Sequence, residues 1–231
     1  EIDRSLVGSE MCIRDSGGPR RMSAYELPMF PLENPVLPGQ LIPLQLFDPR
    51  YLALAEHLHG KIEADFGIVG IERGREVGGD DVRADVGVVV RVLEMTRLPD
   101  GRVSIVAVGT RRVKVNGWLD DAPYPRAMVT DWPDDVIEDG LDVAAANLAA
   151  AVHALVDAAR RNQPGLEVDV PSIDPDHLDT SIWRLITFSG LGPLDTAALL
   201  RATDPIARSA SACTIIDERR ELLDALGDND R

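Results

Sequence analysis

Two lysines, four histidines and two cysteines are all that this chain offers to most kinds of side-chain catalysis. A phosphate-binding P-loop ends in Lys followed by Ser or Thr, so that backbone amides cradle the phosphates and the hydroxyl holds magnesium. Gly60-Lys61-Ile62 fails both halves of that pattern. A Ser-Lys peptidase dyad needs a lysine beside its serine, yet Lys61 and Lys114 fall in an expected helix end and an expected strand. Gly190-Leu191-Gly192 is a fragment of a dinucleotide loop, but it follows a helical pattern and lacks the third glycine.

His57 and His59 are two apart on an expected helix and so point to different faces, whereas helical metal pairs need three or four residues of separation. His153 and His177 have no Cys or His at ligand spacing. The acidic run Asp134, Asp135, Glu138, Asp139 and Asp142 does not make a calcium loop, because Ile137 occupies a ligand position; it reads as a solvated linker and helix start. Cys213 lies in a helical run without a neighbouring base and reads as a small buried hydrophobe. No catalytic, metal or cofactor residue is therefore expected.

Charge narrows the partners. The net charge is −15, and residues 1–21 contribute nothing to it, since Glu1, Asp3, Glu10 and Asp15 cancel Arg4, Arg14, Arg20 and Arg21. Such a body repels nucleic acid and anionic membrane surfaces. Two cysteines imply no disulfide framework and point to a reducing cytoplasm. The longest apolar run, Val143 to Val156, is too short to span a bilayer and reads as a soluble, alanine-rich helix. Residues 1–21 lack a signal-peptide h-region and are set apart as a non-native or disordered leader, with Met22 as the expected native start.

The elements that would carry any site are legible from punctuation. Leu27 to Phe47 holds Pro28, Pro31, Pro35, Pro38 and Pro43, which excludes helix and permits two short or edge strands around a Pro38-Gly39 turn. Asp48-Pro49 opens a helix that runs to Gly60. Phe66 to Ile71 is a strand, and Arg73 to Asp85 a mobile, glycine-rich loop. Val86 to Arg97 and Arg102 to Val115 form a hairpin across Leu98-Pro99-Asp100-Gly101, and Arg126 to Asp131 is a last strand. After Trp132-Pro133 the chain turns helical: about 141 to 161, then from a cap at Asp179 or Thr180 through Phe188, then Pro193 to Arg201, then from Asp204-Pro205 to Gly227.

Leu27-Pro28-Met29-Phe30-Pro31-Leu32, followed by Leu37-Pro38-Gly39-Gln40-Leu41-Ile42-Pro43-Leu44, resembles the opening signature of the Lon protease amino-terminal domain family. The likeness continues through Arg50, Gly87-Val88-Val89-Val90-Arg91-Val92-Leu93, Leu98 to Gly101, Val108 to Val113, and Leu199-Leu200-Arg201-Ala202-Thr203-Asp204-Pro205. The resemblance implies an α+β fold: a PUA-like, partly open β-barrel over residues 22–133, then a helical bundle over 134–231. It also implies a non-catalytic module that recognises unfolded or damaged protein, without the family's ATPase and peptidase machinery.

The expected contact surface for such clients is the proline-bounded Val36, Leu37 and Pro38, with Trp118 and Tyr124. Burying about 300 Å² of apolar surface at about 25 cal/mol per Å² yields about 7 kcal/mol gross, mostly offset by association and ordering costs, so binding should be weak. Two alternatives stand beside this reading. One is an adaptor whose acidic helical half docks a separate protease or chaperone; the other is an unrecognised hydrolase, which would need paired carboxylates or a base beside Cys213 in one pocket. The sequence fixes no oligomeric state.

Overall fold

The computed structural model describes residues 23–61, 64–73 and 82–229. The leader and the middle of the Arg73 to Asp85 loop lie outside the described residues. The elements run β1 (Tyr25–Leu32), β2 (Leu41–Leu46), α1 (Pro49–Leu58), β3 (Asp65–Arg73), β4 (Val82–Arg97), β5 (Val103–Trp118), β6 (Arg126–Asp131), α2 (Leu141–Asn162), α3 (Leu178–Phe188), α4 (Pro193–Arg201) and α5 (Pro205–Asn229).

The six strands form one mixed sheet in the order β2-β5-β4-β3-β1-β6, and β6 pairs back onto β5 to close a ring. β2 lies outside that ring. It occupies the first half of the β5 edge, Val103 to Val108, while β6 takes the second half, Val113 to Trp118. The prolines of β1 fit because each half of the strand is paired on one side only: Tyr25 to Pro28 with β6, and Met29 to Leu32 with β3 in parallel. The hairpin turn is as expected, with Gly101 at φ +88° and the Leu98 amide donating to the Arg102 carbonyl at 2.8 Å.

Several boundaries differ from the sequence reading by a few residues, and two of these shifts have a clear physical cause. β4 begins at Val82 because it pairs with β3 as far out as Arg73↔Val82, so Val82 to Asp85 is strand, not loop. α3 starts at Leu178 with His177 at its N-cap, which places Asp179 in the first turn, where its charge favours the helix N-terminus. At α5, Asp204 does cap the helix, its carboxylate accepting the amides of Ile206 and Ala207.

There are two hydrophobic clusters. A small one fills the ring with Leu27, Met29, Val69, Val89, Val113, Ala127 and Val129. The large one lies outside the ring, and it includes Phe30, Phe66, Val88 and Ile105 from the strands, Leu54 from α1, and Leu148, Ile182, Leu199 and Ile216 from the later helices. This second core runs without a break across Pro133-Asp134. α2 is longer than its apolar run suggested, and by length and composition it could cross a membrane. It instead packs on α3 and α5, with Ala145, Leu148, Val152 and Ala158 buried.

Candidate functional site

Of the five residues expected to form a contact surface, four are buried. Val36, Leu37 and Tyr124 belong to the large core, and Pro38 is covered beside them. The turn Leu37 to Gln40 is closed by the Gln40 side chain, which accepts the Leu37 amide at 3.0 Å. It is stitched to β5 by Gly39 N–H to Gly109 C=O at 2.8 Å and Gly109 N–H to Gln40 C=O at 2.9 Å. Gly109 is required there, since a Cβ would strike the Leu37 carbonyl. Trp118 is half-buried against the other cluster, inside the ring, with the Arg83 guanidinium 4.4 Å from its ring centre. The structure therefore does not bring the five together as one surface.

A different apolar surface is left uncovered, and the sheet register defines it. On β5, a register shift between the β4 residues Val89 and Val90 changes which residues face which side. Val113 points into the ring, whereas Val103, Ile105 and Ala107 pack into the large core. The alternate residues Val106 and Val108 thus lie on the side continuous with the ring interior, but beyond the end of the ring. Directly opposite them on β2 stand Pro43 and Leu41. On β4, Arg91 faces Val108, and Leu93 sits in the irregularity between Val92 and Glu94.

Cross-strand partners share a face, so Leu41, Pro43, Val106 and Val108 make one apolar surface over β2 and β5, bordered on β4 by Arg91 and Glu94, the partners of Val108 and Val106, with Leu93 in the bulge beside Glu94. Leu41 is 62% exposed and Leu93 57%. Phe47, just past β2, is 63% exposed. A clean antiparallel sheet alternates hydrophobic-in with polar-out. Here Leu41-Ile42-Pro43-Leu44 and Ile105-Val106-Ala107-Val108 are apolar toward both faces, and that departure is the sequence signal by which the surface could have been found.

Where the open face meets the ring, charges close the mouth. Arg91 pairs with Asp65 at 2.9 Å, and Arg111 pairs with Asp131 at 3.0 Å. The Tyr25 hydroxyl donates to Asp131 at 2.5 Å and receives Arg111 Nη2 at 3.1 Å. Burial, then the hydrogen bond to Asp131, pushes the Tyr25 phenol up to about 12.

The acidic run is not wholly a solvated linker. Asp134 bridges two buried arginines, Arg112 and Arg208, and Arg208 is fully buried with its guanidinium 3.9 Å from the Trp183 ring centre. Arg112 Nη1 also donates to the Leu200 and Ala202 carbonyls at 2.7 and 2.8 Å, while Asp135 accepts the Thr203 hydroxyl at 2.8 Å. Burial holds the Arg112 guanidinium below the usual arginine range. A cleft of about 310 Å³ beside this cluster is lined by Pro38, Trp132, Asp134 and Trp183. The charges there are consumed by one another and by helix-end carbonyls. They fasten the segment after β6 to the α4–α5 junction.

His57 lies 2.6 Å from Lys61, and His177 pairs with Asp174 at 3.2 Å. Among the described residues no group of three or more His, Cys, Asp or Glu is placed to hold a metal ion. The Cys213 thiol is pushed up by burial and then by Asp217, away from the thiolate that a nucleophile needs.

A protein with a strand ring extended by a flared apolar sheet, roofed on its other side by helices, is an α+β binding domain. Its family follows from comparison. Residues 26–218 match the model of the ATP-dependent protease La (LON) substrate-binding domain, and the chain belongs to that family. The matched region includes no ATPase or peptidase domain.

Among curated relatives, Lon protease 2 of Herpetosiphon aurantiacus is 36% identical over 46% of this chain and 13% of its own length. Lon protease of Roseiflexus castenholzii is 26% identical over 85% of this chain and 24% of its own length. The chain thus spans a quarter or less of these relatives. Among solved structures, the Lon N-terminal domain protein from Xanthomonas campestris superimposes with a TM-score of 0.58 at 25% identity, covering 82% of this chain and 98% of that one. The N-terminal domain of Mycobacterium avium complex Lon protease gives a TM-score of 0.60 at 19% identity, covering 84% and 99%.

Proposed function

We propose that this domain recognises unfolded or damaged protein in a bacterial cytoplasm, holding exposed hydrophobic segments of its clients against the open face of β2, β5 and β4, and performs no covalent chemistry itself. The observation that carries this reading is the pair of exposed leucines, Leu41 and Leu93, flanking the half-buried Val106 and Val108. A contiguous exposed apolar patch costs solubility and is kept where it meets a partner. The flat strand geometry suits extended chain, which presents side chains at the same spacing as the sheet. Family membership supports the reading, because the matched domain is named for substrate binding.

Specificity should be loose and affinity modest. The surface has few polar groups to fix orientation: of the charges beside it, Arg91 pairs with Asp65 and Arg102 with Asp100 at 2.7 Å, and Glu94 stands opposite Val106. Pro43 also removes one donor from the β2 backbone, which discourages indiscriminate edge pairing.

The test is fluorescence anisotropy of a labelled, permanently unfolded protein, titrated with this chain in the absence of nucleotide beside a folded control. Saturable binding of the unfolded chain alone, weakened about tenfold by Leu93→Asp with Leu41→Asp, supports the reading. No binding up to high micromolar concentration overturns it and leaves the adaptor that docks a separate protease or chaperone.

A further inference from the structure

β2 is the outermost strand of the sheet, and two residues fix the phase of its pairing with β5. Gly109 N–H donates to Gln40 C=O at 2.9 Å, and Pro43 has no N–H to give. In an antiparallel ladder, hydrogen-bonded and non-hydrogen-bonded pairs alternate. Ile42, Leu44 and Leu46 therefore turn their backbone groups to β5, while Leu41, Pro43 and Gln45 turn theirs to the outer edge. Among the described residues no other backbone group bonds to these three from that side.

Leu41 and Gln45 each offer an N–H and a C=O along this edge, and Pro43 a C=O alone. The side chains of the same three residues are exposed and stand on the open face, opposite Val108, Ser104 and Val106 respectively. Pro43 thus sits where its missing donor costs the ladder with β5 nothing and is felt only by a strand added outside β2.

We propose that a client binds as such an added strand, its backbone bonded to Leu41, Pro43 and Gln45 and its side chains on the open face, and that Pro43 is the residue that limits its affinity. This rests on the client reading given above and supplies its mode of recognition. Backbone bonding gives affinity without regard to side-chain identity, which suits a module that must hold many unfolded sequences.

The same proline decides between a client and a second copy of this chain. In a two-fold pairing of β2 with β2 centred on Pro43, two prolines face each other and two ladder bonds are lost; a client running in either direction loses one. The net charge of −15 on each copy opposes self-pairing further.

The test uses anisotropy with two probes: the labelled unfolded protein, and a labelled serine peptide of about ten residues with valines at alternate central positions. Pro43→Val restores the donor with a good strand former at an exposed position, and is expected to bind both probes about fivefold more tightly. Gln45→Pro removes an outward donor and should weaken both about fivefold, with the β5 ladder intact. Single N-methylations along the peptide should weaken binding several-fold at every second residue and leave it unchanged between, because an added strand points only alternate amides at β2.

Unchanged affinity in Pro43→Val, or N-methyl effects without alternation, overturns the proposal. If Leu41→Asp still weakens unfolded-protein binding in that case, the client face stands and works through side chains alone. Absence of any unfolded-protein binding overturns the client reading itself. Dimerisation of Pro43→Val in sedimentation, without tighter peptide binding, makes β2 a self-pairing edge and overturns the added client strand.

Discussion

The two faces of the β2-β5-β4 sheet are built from alternate residues of the same strands, and their chemistry is nearly the same. Ile42, Leu44, Leu46, Val103, Ile105 and Ala107 are buried beneath the helices, while on the other side Leu41, Pro43 and Leu93 are exposed and Val106 and Val108 half-buried. The hydrophobic effect treats both sets alike and drives both out of water. One set is satisfied by folding; the other is the face proposed to meet a client. The difference lies in what the rest of the chain covers, and the Asp134 cluster helps determine that by fastening the helical half to the segment after β6.

The largest effect should come from that fastening. Removing the carboxylate in Asp134→Ala leaves Arg112 and Arg208 buried without their counter-ion, and the expected loss is about 4 kcal/mol of stability, read from the midpoint of chemical unfolding. A loss below about 1 kcal/mol would mean that the covered face holds its helices without the cluster. Next is the covered face itself: Ile105→Ala should cost about 3 kcal/mol by opening a cavity in the core, with little change in client affinity once the fold is intact.

The open face should respond the other way round. Leu93→Asp should shift stability by no more than about 0.5 kcal/mol, as for surface positions generally, yet weaken unfolded-protein binding several-fold in the same anisotropy titration. A variant that lost stability and kept binding would invert the assignment of the two faces.

The smallest effect concerns the ring mouth beside the open face. The Tyr25 phenol holds its proton to about 12 in the folded chain, against 10.0 when unfolded. Its contribution is therefore fully present below pH 10.0 and is lost as pH rises toward about 12. Tyr25→Phe should flatten the fall in stability over that interval, and an unchanged alkaline profile would show that the mouth does not depend on this phenol.

Much of the fold was legible because local rules agreed with one another. The Pro99–Gly101 turn, the Asp48-Pro49 and Asp204-Pro205 helix starts and the β-branched runs each had one local solution, and the structure adopts it. The beginning of β4 was hidden, because the alternation of Val82-Arg83-Ala84-Asp85 is only four residues long and follows a glycine-rich, charged stretch, and the segment is held as strand by pairing with β3. Asp134 read as solvated for a similar reason: its partners are Arg112 and Arg208, 22 and 74 residues away along the chain.

The contact surface was the least legible part. Val36, Leu37 and Tyr124 stood out for their prolines and aromatics, yet a turn stitched to Gly109 draws the first two into the core. Leu41 looks like an ordinary strand residue, and only the register of β2 against β5 sets it beside Val108, next to the exposed Leu93 of the β4 bulge.

By itself the sequence determined the element types, the Asp-Pro helix starts and the hairpin turn, the acidic net charge, and a motif order resembling the Lon amino-terminal family. Those depend on neighbours within a few residues, or on sums over the whole chain. The tertiary structure alone decided which apolar residues are core and which are surface, because burial is set by what lies across space, and strand alternation is silent about which of two apolar faces the helices will cover.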